Sequence, residues 1–355
     1  MLACRSGLLF IRTFTAKQLV YSAYGAPTQV LKLEQVELPD DPPPGQVHVK
    51  WLAAPINPAD LNTLEGVYPV KPPLPAVPGL EGYGRVEKIG NRVKQFRVGD
   101  HVIPAKADMG TWRTDGYHDE ADLVAIDNSL SMEASATLLI NPPTAYRMLK
   151  DFVDLKPGDT IIQNGANSAV GRAVIQRLIR IGNLSNTFHI CRLLGVCTIN
   201  VVRDRKNLND LIDELKQLGA TEVITEEQLS KEYRGKLRNL PLALNCVGGK
   251  SALLLASTLG FRGCMVTYGG MSKKPIQAPT GPFIFKDIRL AGFWITPWFD
   301  DVKNAEERKR MFAELSGWMK SGKFIPPPLE KRNIEDFASA IEAAVKFGKK
   351  QLFVL

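Results

Sequence analysis

The sequence predicts an α/β protein with a β-rich domain first and a doubly wound parallel sheet second. Three observations carry that prediction. Short strand-like runs separated by Pro and Gly clusters fill the first third of the chain. Strand and helix patterns alternate from about residue 160 onward. At the start of that alternation one strand leads directly into a small-residue turn and a helix.

At 355 residues the chain exceeds one ordinary domain. Its 45% hydrophobic and 23% charged residues provide apolar material for two cores. No run of about eighteen uncharged apolar residues is present, so no membrane span is expected. A net charge of +8 suits an anionic ligand. No Lys/Arg block, zinc finger or RNA-binding signature accompanies it, and no nucleic-acid partner is expected. Cys4, Cys191, Cys197, Cys246 and Cys264 contain no CxxC pair, which excludes a disulfide framework. From Met1 to Leu33 there is no acidic residue, while Arg5, Arg12 and Lys17 punctuate apolar side chains. That composition predicts a mitochondrial presequence over residues 1–17 and a matrix location.

Each element follows in order. Gln46–Trp51 and Tyr83–Ile89 read as strands between the Pro42–Gly45 and Pro72–Gly79 clusters, and Val93–Val102 repeats the pattern around Gly99-Asp100. Met132–Leu149 is helix-like, with a break expected at Asn141-Pro142-Pro143. Then come strand Thr160–Gln163, strand Thr198–Val202, helix Leu208–Leu218, strands Glu222–Ile224 and Leu242–Asn245, helix Lys250–Leu259 and strand Cys264–Tyr268. That order predicts crossover helices on a parallel sheet. Helices Ala305–Lys320 and Ile334–Val345 and a strand Gln351–Val354 close the chain.

Strand Thr160–Gln163 runs into Asn164-Gly165-Ala166-Asn167-Ser168-Ala169-Val170-Gly171. Small residues there let the backbone approach a pyrophosphate at the helix N-terminus, although the spacing departs from GxGxxG. The next strand ends in Arg203-Asp204-Arg205-Lys206. An acid alone at that tip would bind a ribose 2′-hydroxyl, whereas cations around it favour the 2′-phosphate of NADPH. Asp204 is expected to hold one of the arginines in place. A catalytic zinc would need about three converging ligands, and His48, His101, His118 and His189 have no such spacing. In Pro78-Gly79-Leu80-Glu81-Gly82, Leu80 stands where zinc-dependent medium-chain dehydrogenases carry a ligand histidine. No metal is expected.

From about residue 18 to 355 the chain resembles the medium-chain dehydrogenase/reductase superfamily, and within it the mitochondrial trans-2-enoyl thioester reductases. The segments that carry the resemblance are Ile56–Asp60, Gly110–Thr114, Asn141–Leu149, Ile199–Arg205, Leu244–Lys250, Tyr268–Met271 and Gly292–Trp294. It implies a GroES-like catalytic domain over residues 18–145 plus 316–355 and a Rossmann-type NADPH-binding domain over 146–315. NADPH and the thioester are expected in the cleft between the two. The implied reaction is NADPH-dependent reduction of 2-enoyl thioesters, carried on coenzyme A or acyl carrier protein, in mitochondrial fatty acid synthesis. The chain is expected to form a homodimer. The family's catalytic tyrosine falls on Tyr68, whose phenol would donate a proton or hydrogen-bond the thioester oxygen as enolate charge develops. The cofactor is expected to contact Asn141, Asn167, Ser168, Ala169, Val170, Arg203, Asp204 and Arg205. Tyr268, Gly269, Gly270, Met271, Phe293, Trp294, Ile295, Thr296 and Lys350 complete that set, although Lys350 could equally be a solvated tail charge.

About a dozen residues near Arg177–His189 exceed the length a crossover helix needs. They read as an insertion, either a harmless bulge or the product of alternative splicing. Two other functional readings therefore stand beside the first. One is an NADPH-dependent quinone or alkenal reductase of the same fold; the other is an interaction protein inactivated by the insertion.

Overall fold

The computed structural model describes residues 12–106, 109–181, 195–233, 235–346 and 349–355. It divides into two compact units, Met1–Leu139 with Ile325–Leu355, and Ile140–Phe324.

The first unit opens with β1 (Thr13–Tyr21) and β2 (Leu31–Pro39), an antiparallel pair in register from Thr13↔Pro39 to Tyr21↔Leu31. Residues 13–17, expected inside the presequence, therefore belong to the folded sheet, and residues 1–11 lie outside the described residues. The same apolar, acid-free composition serves a strand here, because Leu19 and Tyr21 are buried against Ala54, Ile56, Trp112 and Phe353. The main sheet carries β3 (Gln46–Pro55), β4 (Tyr83–Ile89), β5 (His101–Pro104), β6 (Asp115–Asp119) and β7 (Leu123–Ile126). From the far end of the chain come β14 (Leu329–Asn333) and β15 (Lys350–Val354), which pairs antiparallel with β3. The order is β14-β15-β3-β4-β5-β7, and β6 pairs the Gln46–Lys50 part of β3, on the edge that β15 pairs further along.

The second unit is a parallel sheet of β8 (Thr160–Asn164), β9 (Cys197–Val202), β10 (Glu222–Thr225), β11 (Leu240–Asn245), β12 (Leu259–Thr267) and β13 (Arg289–Gly292). Its order is β10-β9-β8-β11-β12-β13. The order reverses between β8 and β11, the place where doubly wound sheets hold ligands beyond their strands' C-terminal ends.

Both expected domain boundaries move. Helix Asn141–Asp151 lies wholly in the second unit. Pro142 and Pro143 fall in its first turn, where a missing N–H costs nothing, so the prolines start the helix rather than break it. A division at residue 315 would cut helix Ala305–Lys320, whose Met311, Phe312, Leu315 and Met319 are buried together. The boundary falls after it, at Phe324. Helix Ala169–Ile181 is continuous for 13 residues. The expected insertion thus begins inside regular helix, and its remainder, with Cys191 and His189, lies outside the described residues. Among the described residues no helix is long and apolar enough to cross a membrane.

Candidate active site

In the second unit, β8 ends at Asn164 and leads into Gly165, whose φ of +56° and closeness to Cys246 exclude a side chain: a Cβ would lie 2.5 Å from Cys246 Sγ. Asn167, Ser168, Ala169 and Val170 follow as the turn that opens helix Ala169–Ile181. Buried amides hold this turn. Gln163 Nε2 donates to Gly171 O at 3.0 Å and to Asn200 Oδ1 at 2.8 Å. Asn164 Nδ2 donates to Asn245 Oδ1 at 2.8 Å, and its Oδ1 accepts from Cys246 N at 2.8 Å. Arg172 Nε donates to Asn167 O at 3.0 Å, and its guanidinium grips Glu214 through two hydrogen bonds of 2.8 and 2.9 Å. Sequence pattern alone assigns no role to Gln163, Asn200 or Arg172. The available signal was a run of polar amides inside strands otherwise built of Ile and Val.

Tyr268 leaves the end of β12 with its N–H on Asn245 O at 3.0 Å, and Met271 N donates to Cys246 O at 2.9 Å. Gly269 crosses Cys246 so closely that a Cβ would sit 3.2 Å from Cys246 O. The Tyr268 hydroxyl is buried beside Cys246 and Ser168 yet makes no hydrogen bond of normal geometry. Burial, and then the neighbouring Cys246, hold its pKa well above the ordinary phenol value. Burial likewise pushes the Cys246 thiol up to about 11. An unspent buried hydroxyl asks for a partner, and this one lies beside the phosphate-type turn. That observation, with the glycine clearances, fits a dinucleotide.

Arg203, Asp204 and Arg205 stand exposed at the tip of β9. The Asp204 carboxylate accepts from Arg205 N at 2.8 Å. It binds the backbone rather than an arginine head, contrary to expectation, and no ion pair engages either guanidinium among the described residues. Phe293, Trp294, Ile295 and Thr296 link β13 to helix Ile295–Asp300. Phe293 N donates to Thr267 O at 2.9 Å, and its ring meets Phe152 edge-on at 5.7 Å. Asn141 is the buried first residue of helix Asn141–Asp151.

In the first unit, Tyr68 follows helix Pro58–Leu64, which Asn57 and Asp60 close with a capping box. After Gly66 (φ +75°) the N–H groups of Val67 and Tyr68 both donate to Asn62 O, at 3.0 and 3.2 Å. The ring of Tyr24 packs against Gly66, so the half-buried Tyr68 hangs from a loop tied at both sides. Near the helix N-terminus, Asn57 Nδ2 donates to Glu81 Oε2 at 2.9 Å. Asp60 accepts from Asn57 N at 2.7 Å and from Leu80 N at 2.8 Å. Burial raises Asp60 to about 7, outweighing those two hydrogen bonds and the nearby Lys350. Lys350 is no solvated tail charge: it is half-buried, with Nζ 2.5 Å from Asn57 Oδ1.

Among the described residues no group of three or more His, Cys, Asp or Glu could hold a metal ion. His118 accepts from Trp51 Nε1 at 3.2 Å, and burial lowers its pKa to about 3. It is a neutral core histidine.

Residues 43–126 match the alcohol dehydrogenase GroES-like domain, and residues 185–310 match the zinc-binding dehydrogenase domain. A mitochondrial enoyl-(acyl-carrier-protein) reductase of Caenorhabditis elegans is 55% identical over 100% of this chain and 99% of its own length. The chain belongs to this reductase family. The human mitochondrial enoyl-(acyl-carrier-protein) reductase is 43% identical over 96% of this chain and 88% of its own length. Among solved reductase structures, the mitochondrial 2-enoyl thioester reductase Etr1p/Etr2p heterodimer from Candida tropicalis superposes with a TM-score of 0.87 at 35% identity. It covers 96% of this chain and 100% of its own. A complex of Etr1p with NADP and crotonyl-CoA gives the same TM-score, identity and coverage.

Proposed function

We propose that this chain reduces trans-2-enoyl thioesters to saturated acyl thioesters with NADPH, as a mitochondrial enzyme of fatty acid synthesis. Family membership along nearly the whole chain is the observation that carries this reading. NADPH supplies the hydride that goes to the β-carbon.

The residues of the chain do the rest. Backbone N–H groups at Asn167–Val170, together with the helix N-terminus behind them, face the pyrophosphate. The unpaired Tyr268 hydroxyl gives a hydrogen bond to the same cofactor, and Gly269, Gly270 and Met271 follow it along the strand ends. Arg203 and Arg205 pair with the 2′-phosphate, with no carboxylate on either guanidinium to compete among the described residues. Asn141, Phe293–Thr296 and Lys350 complete the cofactor contacts. Tyr68 directs its phenol at the thioester oxygen as enolate charge develops on it, which lowers the barrier to hydride addition, and protonation at the α-carbon completes the reduction.

A homodimer belongs to the same reading. Among the described residues β13 is an end strand of its sheet, and Phe283, Ile284 and Phe285 stand exposed just before it. An apolar patch beside an open strand edge suits a second copy of the chain.

NADPH oxidation by the purified chain with crotonyl-CoA tests the function, beside a Tyr68→Phe variant and a quinone substrate. Turnover of crotonyl-CoA should fall about 100-fold or more in the variant, with NADPH affinity unchanged. Turnover of the quinone alone would overturn the thioester reading, and a fully active variant would remove Tyr68 from it.

A further inference from the structure

The first unit buries two neighbouring carboxylates, Asp60 at 1% exposure and Glu81 at 0%. They flank Leu80, whose N–H binds Asp60. Burial favours the protonated form of such acids, so one of them stays ionised only where hydrogen bonds and a nearby cation demand it. Lys350, at the start of β15, meets that demand through Asn57. The Asn57 amide donates to Glu81 Oε2 at 2.9 Å and accepts from Lys350 Nζ at 2.5 Å. One side chain thus joins the anion to the cation, across 24 residues on one side and 293 on the other.

We propose that Asn57 and Glu81 are positioning residues for the reduction: they hold the Lys350 ammonium ion charged and in one place for the cofactor. The proposal rests on the reading above that Lys350 meets NADPH. A long, flexible lysine presents its charge to a ligand at lower entropic cost when the stem is already fixed. Burial lowers the Lys350 pKa, while Glu81 first and Asp60 second oppose that fall. On the flanking strand β14, Glu330 and Arg332 pair with one another at 2.5 Å, and the residues of β3 paired with β15 carry no charge.

The test is a set of NADPH titrations and steady-state rates on the full chain with Lys350→Met, Glu81→Gln, Asn57→Ser and the double variant Glu81→Gln/Lys350→Met. Asn57→Ser keeps a helix N-cap and loses only the reach of the amide, so it stands in if Glu81→Gln fails to fold. Each single change should raise the Kd for NADPH about tenfold, with the KM for crotonyl-CoA unchanged. The double variant should lose nothing beyond Lys350→Met alone, because the two residues act through one group. Glu81→Gln should also move the alkaline loss of NADPH affinity to lower pH, since it removes the anion that keeps Lys350 protonated; a purely structural role would not shift that limb. Additive losses in the double variant would overturn the positioning role and leave Lys350 as a cofactor contact. An unchanged Kd in Lys350→Met would overturn both.

Discussion

Tyr268 and Asp60 show two ways of burying a polar group in a reductase. Among the described residues the Tyr268 hydroxyl makes no hydrogen bond of normal geometry, although Cys246 and Ser168 lie beside it, so the fold gains little from it. Tyr268→Phe should leave the melting temperature unchanged or slightly raised, while weakening NADPH binding about three- to tenfold. Thermal melts with and without NADPH read both, and a destabilised variant with normal affinity would contradict this account. Asp60 is different, because its carboxyl does have partners and burial still wins, raising it from 3.8 to about 7. A raised pKa means that the folded state prefers the protonated form. The stability from this group is therefore full below about pH 4 and lost as pH rises through about 7. Each pKa unit corresponds to about 1.4 kcal/mol. Urea unfolding between pH 4 and 8 should show that loss, and Asp60→Asn should flatten it while lowering stability overall, since an amide accepts only one of the two N–H groups.

At the scale of the element, the phosphate-type turn depends on a close helix–strand approach. A Cβ on Gly171 would lie 2.6 Å from Ala166 O, a backbone atom with little freedom to move. Gly171→Ala should cost about 1–3 kcal/mol and weaken NADPH binding with it. Gly317→Ala serves as its counterpart: the site in helix Ala305–Lys320 is open. That change should stabilise by about 0.5–1 kcal/mol. Chemical denaturation of the two variants tests the pair.

The elements differ in how plainly the sequence announces them. Helix Ala305–Lys320 coincides with its prediction, because its apolar residues recur at helical spacing and Lys320 closes its last turn. Strand β12 starts at Leu259 rather than Cys264. Gly260 and Gly263 in its first half serve close packing, with a Cβ on Gly260 only 2.6 Å from Asn239 Cα, and offer no apolar side chain to mark a strand. Strand β14, Leu-Glu-Lys-Arg-Asn, has no apolar alternation. It exists through backbone pairing with β15 at the sheet edge, which leaves no mark on side-chain pattern. The glycine turn of the site was legible because its parts are contiguous. Tyr68, in a Pro-rich loop, is singled out only by resemblance, since no local pattern marks it. The link from Asn57 to Glu81 and Lys350 was not legible at all, since residues so far apart in sequence share no local pattern.

For the whole molecule, the exposed cluster beside β13 bears on assembly. Phe285 is 82% exposed and Ile284 61%. A Phe285→Lys, Ile284→Lys variant should shift the purified protein from dimer to monomer in sedimentation, with each monomer still binding NADPH. A wild-type chain that sediments as a monomer would remove the dimer from the reading.

The path of the chain has a further outcome. The second unit is one unbroken stretch, residues 140–324, whereas the first needs its two ends together. Its β3 is paired with β15, and Phe353 lies in the core beside Trp112 and Ile56. Synthesis and import both deliver the amino end first, and domains generally fold as units. The nucleotide unit can therefore finish while the earlier third of the chain still waits, its Trp112 and Ile56 unsealed. Translation that stops a dozen residues short would release a protein with a sound nucleotide half, while the half that carries Tyr68 would stay open to proteases. Quality control would then act on the beginning of the chain because of what is missing at its end.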